Sequence, residues 1–106
     1  MFARQVSLQL KPNSVAEFTQ TIENDIIPLL RKQAGFLDEI TLLYPSGKEV
    51  HALSLWETAE HAEVYNRKTY PEVTKILASV VEGAPRVQTY EVLNSTIQRR
   101  AAAVAA

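Results

Sequence analysis

Apolar and polar residues alternate at the start of the chain, between Phe2 and Leu10. Alternation with a period of two is typical of a β-strand that buries one face. One face of the predicted strand carries Phe2, Arg4, Val6, Leu8 and Leu10, and the other carries Ala3, Gln5, Ser7 and Gln9. A charged residue, Arg4, therefore falls on the apolar face.

The next stretch has the spacing of a helix. Its apolar residues, which recur every three to four positions, are Phe18, Ile22, Ile26, Leu29 and Leu30. Ser14 and Glu17 have the spacing of a capping box, which predicts that the helix begins at Val15. Gly35 is placed to end it. Because the ring of Pro28 cannot fit against the preceding turn, we expect the helix to kink or break just before this residue.

Two further strands are separated by a turn. Residues Phe36–Tyr44 and Val50–Trp56 are rich in aromatic, β-branched and leucine residues, and Pro45–Lys48 between them is a turn signal. The pair predicts an antiparallel hairpin in which neither strand has a fully polar face. The leucines expected to point away from the helices are Leu53 and Leu55, with some of Leu37 and Leu43.

The second half of the chain predicts two short helices and a last strand. Thr58 is placed to cap a helix over residues 59–68, and Pro71 suits the first turn of another helix. The apolar residues assigned to that second helix are Val73, Ile76, Leu77, Val80 and Val81, with Gly83 at its end. Alternation from Val87 to Leu93 predicts the final strand.

The order of these predicted elements, βαββαβ, indicates an α+β fold. Four antiparallel strands with helices on one face form the ferredoxin-like sandwich, which has this order. We expect one such domain over residues 1–97 and an Ala-rich tail over residues 98–106 with no assigned function. Leucines on the second sheet face would meet water in an isolated domain, so we expect a homodimer in which two copies pack sheet to sheet.

Length and composition narrow the class of protein. The 106 residues suffice for one hydrophobic core, and a net charge of -1 provides no global field to hold nucleic acid or an anionic membrane. The basic pair Arg99 and Arg100 lies only in the tail. The absence of cysteine excludes disulfides and Cys-ligated metals, and the presence of only two histidines argues against a His-rich metal site. With neither a bilayer-spanning apolar segment nor the apolar region of a signal peptide, we expect a cytoplasmic protein.

Several segments resemble those of a known family. They are Gly35-Phe36 at a strand start, Trp56-Glu57 at a strand end followed by Thr58-Ala59-Glu60-His61-Ala62, Tyr70-Pro71-Glu72 at a helix start, and the closing Val87-Gln-Thr-Tyr-Glu-Val. From Phe2 to about Leu93, the sequence is similar to the antibiotic-biosynthesis monooxygenase family of dimeric α+β barrels. The resemblance implies a ligand pocket between the sheet and the helices of one subunit. It also implies cofactor-independent oxygen chemistry on hydroquinone-like aromatics, since the family includes such enzymes.

The family includes enzymes that degrade haem as well. Their pattern places an Asn on the first strand, a Trp on the helix after the strand-end Trp, and a His as the iron ligand. The corresponding positions here are Val6, Tyr65 and Lys75. Because lysine does not ordinarily replace an axial histidine at neutral pH, we expect no haem. The resemblance to the cofactor-independent oxygenases of the family implies no other cofactor.

Carried over to this chain, the pocket of the family would be lined by Arg4, Val6, Trp56 and Tyr65. Arg4 is the clearest candidate, because an unpaired buried charge is costly and a guanidinium on an apolar face should be paired or face a ligand. The alternatives are that Arg4 reaches solvent or pairs with an acid such as Asp38. Trp56 lies either beside an aromatic substrate or within ordinary core packing.

Three tyrosines and one histidine complete the candidate set. Tyr65, Tyr70 and Tyr44 can form hydrogen bonds with a phenolic substrate, or they can be half-buried residues whose hydroxyls contact solvent. His61 can accept a proton if its helical turn borders the pocket, or it can be a solvated surface residue. The catalytic candidates are thus Tyr65, His61 and Arg4, and the substrate-binding candidates are Val6, Tyr44, Trp56 and Tyr70.

Two functions fit this set of residues. The first is a homodimeric, cofactor-independent monooxygenase that stabilises the anion of a small phenol or hydroquinone, since such an anion can pass an electron to O₂ directly. The second is a non-catalytic small-molecule-binding or stress-related dimeric module of the same fold.

Overall fold

The computed structural model of the protein describes residues 1–97. The predicted tail, with Arg99 and Arg100, lies outside the described residues. The strands are β1 (Phe2–Leu10), β2 (Phe36–Leu43), β3 (Glu49–Trp56) and β4 (Val81–Glu91). The helices are α1 (Val15–Thr21), α2 (Ile27–Arg31), α3 (Ala59–Lys68) and α4 (Tyr70–Leu77), and a π-helical turn, Ile22–Ile26, joins α1 to α2. The predicted succession βαββαβ is confirmed, with each helical region divided in two.

The four strands form one antiparallel sheet in the order β2-β3-β1-β4. The helices cover one face of it, and the core lies between these two layers. Core residues from the sheet include Val6, Leu8 and Trp56, and they pack with Phe18 of α1 and Val73 of α4. The ferredoxin-like α+β fold that the sequence predicts is therefore confirmed. Within residues 1–97, no helix is long and apolar enough to cross a membrane.

The other sheet face carries the residues that the alternation of β1 predicts. Ala3 pairs with Leu55 and Gln5 pairs with Leu53, so both leucines point away from the helices as expected. His51, opposite Ser7, lies on the same face. The exposed large apolar residues of this face are Ile40, Leu42 and Tyr90.

The break predicted before Pro28 takes the form of the π-helical turn. Proline has no N–H to donate, and its ring clashes with the carbonyl of the residue four positions earlier, so a regular α-helix cannot continue through it. The wider turn absorbs this mismatch, and α2 restarts at Ile27 with Pro28 in its first turn. The predicted capping box is wrong. Although α1 begins at Val15, the Ser14 hydroxyl donates to the Pro12 carbonyl at 3.4 Å, because Ser14 (ψ 5°) lacks the extended backbone of a cap.

A β-bulge at Leu37 changes which side of β2 faces the helices. Phe36 pairs with Trp56, but the next pair is Asp38 with Leu55, so Leu37 has no opposite residue. Every later side chain of β2 is thereby turned to the face opposite the one that simple alternation predicts. Leu43, expected away from the helices, instead pairs with the core residue Val50.

The last strand begins earlier than predicted. A helix through Val81 to Gly83 is wrong: α4 ends at Leu77, and β4 begins at Val81 and ends at Glu91. Gly83 adopts a positive φ of 68°, near a register shift between β1 and β4. Pro85 is tolerated because β4 is an edge strand, where a residue without an N–H need not remove a hydrogen bond between strands.

Candidate functional site

A small cavity lies between the sheet and the helices, where the resemblance places a pocket. Its volume is about 50 Å³. Its polar and aromatic lining residues include Arg4, Glu39, Ser54, Tyr65 and Tyr70, and its apolar lining residues include Val6, Leu8, Ile22, Ile26, Leu30, Val73 and Leu77. The π-helical turn provides Ile22 and Ile26, and π-helical segments occur frequently at functional sites.

The pairing of the strands aligns three polar lining residues in a row across the sheet. Arg4 of β1 pairs with Ser54 of β3, and Ser54 pairs with Glu39 of β2. Directly opposed residues point to the same face, and neighbouring strands lie about 4.8 Å apart. Arg4 and Glu39 therefore rise from the floor of the cavity about 10 Å apart, with the Ser54 hydroxyl between them.

The Arg4 guanidinium is buried without a carboxylate partner. Arg4 is 2% exposed, its Nη2 donates to Asn66 Oδ1 at 2.7 Å, and its Cζ lies 4.0 Å from the ring centroid of Tyr70 and 5.2 Å from that of Tyr65. Among residues 1–97, no Asp or Glu oxygen lies within 4.0 Å of it. Arg4 thus neither reaches solvent nor pairs with Asp38, which lies on the other sheet face.

This arrangement leaves Arg4 with donors that an anionic group could use. Burial lowers the pKa of the guanidinium, and the nearby rings of Tyr65 and Tyr70 oppose this effect. Arginine nevertheless stays charged in proteins. The Arg4 guanidinium is held by one amide and two ring faces, and it retains N–H groups that can donate hydrogen bonds to a negatively charged oxygen.

Tyr65 is a neutral hydrogen-bond donor in this site. Burial raises the pKa of Tyr65 to about 12, although the charge of Arg4 lowers it. The side chain is fixed by aromatic packing, with its ring centroid 4.9 Å from that of Trp56. At neutral pH the Tyr65 phenol therefore keeps its proton and cannot itself act as a base.

The Tyr70 hydroxyl is buried and has no hydrogen-bond partner among residues 1–97. Burial raises the pKa of Tyr70, while the charge of Arg4 and the approach of its guanidinium to the hydroxyl lower it, although no described group meets hydrogen-bond geometry there. The hydroxyl lies near Arg4 on the cavity wall, where it can also donate to a bound group.

Glu39 is a cavity residue that the sequence analysis missed. The bulge at Leu37 turns it toward the helices, whereas simple alternation places it with Leu43 on the face then expected to be open. Burial raises the pKa of Glu39, while a hydrogen bond from the Thr41 hydroxyl (2.6 Å) lowers it and the charge of Asp38 raises it. The sequence contains no local signal for the bulge that could have placed Glu39 here.

The other predicted site residues fall into two groups. Val6 lines the cavity, as expected. Trp56 is 0% exposed, is not among the lining residues, and donates from Nε1 to Ser54 Oγ at 2.9 Å, so it holds the Ser54 hydroxyl from beside it on the same sheet face. Tyr44 is 61% exposed beyond the end of β2 and does not line the cavity.

His61 lies away from the cavity, at the start of α3. Its backbone N–H donates to the Thr58 hydroxyl at 3.1 Å, and its Nδ1 lies 2.9 Å from the same oxygen. Its ring packs against Gly35, where a Cβ would overlap it. The structure therefore ties His61 to the helix cap and does not bring it to Arg4.

Two surface grooves border the charged residues of the cavity. One, of about 860 Å³, lies between β2 and the helical segments and is lined by Glu23, Ile27, Pro28, Arg31, Phe36, Leu37, Asp38 and Glu39. The other, of about 290 Å³, lies between α3 and β4 and includes Arg4 and Asn66. Glu39 thus borders both the first groove and the inner cavity, while Arg4 borders the second.

Several solved structures have the same fold. A Streptomyces coelicolor monooxygenase, solved in complex with the ligand nanaomycin D, is 17% identical with a TM-score of 0.75, and the match covers 89% of this chain and 88% of that one. SnoaB, a cofactor-independent oxygenase from Streptomyces nogalater, is 9% identical with a TM-score of 0.73 and coverages of 90% and 95%. The protein of unknown function NE2512 from Nitrosomonas europaea is 16% identical with a TM-score of 0.74 and coverages of 90% and 91%.

Further matches carry the name antibiotic biosynthesis monooxygenase, so the resemblance stated from the sequence is confirmed at the level of the fold. The sequence matches no protein-family model, and no curated protein matches it significantly. Sequence identities this low show a shared fold and leave the reaction to be argued from the site.

Proposed function

We propose that this protein is a cofactor-independent monooxygenase that acts on a small aromatic of the phenol or hydroquinone type. The observation that carries the proposal is the buried Arg4 guanidinium, which faces a cavity and has no carboxylate partner within residues 1–97. The fold shared with a monooxygenase and a cofactor-independent oxygenase from two Streptomyces species supports the same reaction class.

In the proposed mechanism, the substrate hydroxyl gives its proton to solvent water as it binds, and Arg4 stabilises the oxyanion that remains. The anion of an electron-rich aromatic ring can pass an electron to O₂ directly. Fixed donors aimed at a developing negative charge act most strongly in a site from which water is excluded. Tyr65 and Tyr70, kept neutral by burial, supply further donors in the same cavity.

The aromatic walls suit such a ligand, but the cavity must widen to admit it. A space of about 50 Å³ holds one or two water molecules, whereas a dry cavity of about 150 Å³ holds a benzene ring. The outer groove that Glu39 borders offers the additional space. Binding therefore requires side chains between the groove and the cavity to move apart.

We propose that the protein works as a homodimer through the open sheet face. Ile40 and Leu42 are exposed there, and a second copy would remove this apolar surface from water. Leu42→Glu should shift the mass measured by light scattering from dimer to monomer. Val64→Glu is the matched control, because Val64 is equally apolar and exposed but lies on α3.

The direct test is oxygen uptake by the purified protein with a panel of hydroquinones, anthrones and catechols. Uptake above autoxidation, with a hydroxylated or quinone product, is expected for the wild type and should fall at least tenfold in Arg4→Gln. Uptake that matches protein-free controls across the panel would overturn the proposal.

One observation favours the second candidate, a binding module without catalysis. Burial raises the pKa values of both tyrosines in the cavity, so neither is poised to take a proton at neutral pH. Such a module would bind the aromatics of the same panel in calorimetry and leave the oxygen concentration unchanged.

A further inference from the structure

Glu39 has a position that the proposed function does not yet use. Its side chain borders the inner cavity and the outer groove, so it forms part of the wall between them. We infer that Glu39 is a substrate-contacting residue, which accepts the hydroxyl at the end of the aromatic remote from Arg4 and controls passage from the groove. This inference rests on the proposed function and adds the substrate class and the route into the site.

The backbone holds Glu39 in place for this role. The bulge at Leu37 places the Glu39 side chain on the sheet face that the helices cover. Because Glu39 pairs with Ser54, and Ser54 pairs with Arg4, Glu39 lies two strands away from Arg4. The Thr41 hydroxyl donates to Oε2 at 2.6 Å. This bond orients the carboxylate and leaves Oε1 to accept from a ligand, since each carboxylate oxygen can accept more than one hydrogen bond.

The two ends of the cavity therefore have opposite chemistry. At one end the Arg4 guanidinium donates hydrogen bonds, and at the other end the Glu39 carboxylate accepts them, while the charges of both groups act on the Tyr65 phenol. Between them the walls are apolar, from residues such as Val6, Leu30 and Val73. A ligand that satisfies both ends is an aromatic with oxygens on opposite sides of its ring system.

The charge of each end further restricts that ligand. The oxygen near Arg4 can carry a negative charge, whereas the oxygen near Glu39 must keep a proton to donate. A para-hydroquinone meets both requirements in a single ring, and so does a larger aromatic with hydroxyls at its two ends. An aromatic with a carboxylate at the Glu39 end would be repelled by the like charge.

The test compares two probes in anaerobic calorimetry, 1,4-dihydroxynaphthalene and 4-methoxy-1-naphthol. They share the ring system and one hydroxyl, and the methoxy compound cannot donate at the second position. Hydrogen bonds to a charged group are strong, so the wild type should bind the diol about tenfold or more tightly than the ether. In Glu39→Gln, this preference should shrink to about threefold or less, while the affinity for the ether changes little.

Two variants separate this effect from changes in folding and net charge. Glu72→Gln removes an exposed carboxylate of α4 that lines neither the cavity nor the grooves, and should keep the wild-type preference. Thr41→Val removes the hydroxyl that orients Glu39 and should reduce the preference while leaving the carboxylate in place. Circular dichroism confirms that each variant is folded before its affinity is compared.

The outcomes distinguish a failure of this inference from a failure of the proposed function. If the wild type binds both probes equally, or if Glu39→Gln keeps the full preference, Glu39 does not contact the ligand, although the function can stand. If the wild type binds neither probe, and Arg4→Gln behaves identically, the proposed site falls and the role of Glu39 falls with it.

Discussion

Arg4 and Glu39 point into the same cavity from strands that are not adjacent, with Ser54 of the intervening strand between them. A cation and a carboxylate in one apolar enclosure would ordinarily form an ion pair. Here they are held about two strand spacings apart, and no salt bridge joins them within the described chain. Their separation leaves room for a ligand that forms hydrogen bonds with both groups. Because neither charge is paired within the described residues of the free protein, this arrangement lowers its free energy of unfolding.

Arg4→Met should separate stability from function. Replacing a buried charge with an apolar side chain of similar length is expected to leave the free energy of unfolding unchanged or raise it by about 1 kcal/mol or more, because the cost of desolvation disappears. Urea denaturation measures this. Arg67→Met, at an exposed residue whose partner is Glu63, should change stability by less than about 0.5 kcal/mol. A loss of several kcal/mol in Arg4→Met would show that Arg4 is structural.

Glu39→Gln should stabilise the protein at neutral pH. Burial raises the pKa of Glu39, so the folded state holds this proton at pH values where the unfolded state has already lost it. The free energy of unfolding of the wild type therefore falls as the pH rises between the two pKa values, and the penalty is complete above the folded one.

The variant lacks this penalty. We expect Glu39→Gln to exceed the wild type in stability at pH 7 and to match it at pH 3, below the ordinary pKa of glutamate, in parallel urea titrations. Glu72→Gln, at an exposed residue of α4, serves as the comparison for loss of one negative charge. A wild type that is the more stable of the two at pH 7 would contradict the cost of half-burying the Glu39 carboxylate.

Tyr70→Phe should leave the fold intact. The Tyr70 hydroxyl is buried and unpaired, so its removal is expected to leave the free energy of unfolding unchanged or raise it by about 1 kcal/mol. Thermal denaturation followed by circular dichroism measures the change. In the substrate-free protein, a clear drop in melting temperature would mean that the hydroxyl has a partner in solution.

Gly35→Ala should destabilise the protein more than Gly47→Ala. Both glycines have a φ near 80°, which costs any other residue about 1 kcal/mol, but a Cβ at Gly35 also overlaps the ring of His61, whereas a Cβ at Gly47 meets open space. We expect a loss of about 3 kcal/mol or more at Gly35 and about 1 kcal/mol at Gly47 in chemical denaturation. Equal losses would show that His61 moves away at no cost.

The sequence predicts those parts of the fold that depend on local patterns. The alternation of β1 places Arg4 on the buried face, and the proline in the first helical region marks the break that the π-helical turn accommodates. Thr58 caps α3 as expected, since its side chain accepts the His61 N–H. Each of these features depends on residues within a few positions of one another.

The features that the sequence does not predict depend on pairing between strands. The bulge at Leu37 reverses the rest of β2, and with it the side that Glu39 faces, because β3 sets the register. β4 extends back to Val81 because β1 offers partners there, although Gly83 and Pro85 locally indicate a connector. The candidate site was therefore half predictable: the Arg4 end follows from alternation, and the Glu39 end follows from register.

The most direct test of the central claim is the ionisation of a bound phenol. We would record the absorption spectrum of 4-nitrophenol with excess protein, at a pH below the pKa of the free phenol. If Arg4 holds the oxyanion, the phenolate band should grow when the wild type is added and should not grow with Arg4→Met. A bound phenol that stays neutral in the wild type, or that ionises equally with both proteins, would contradict the account.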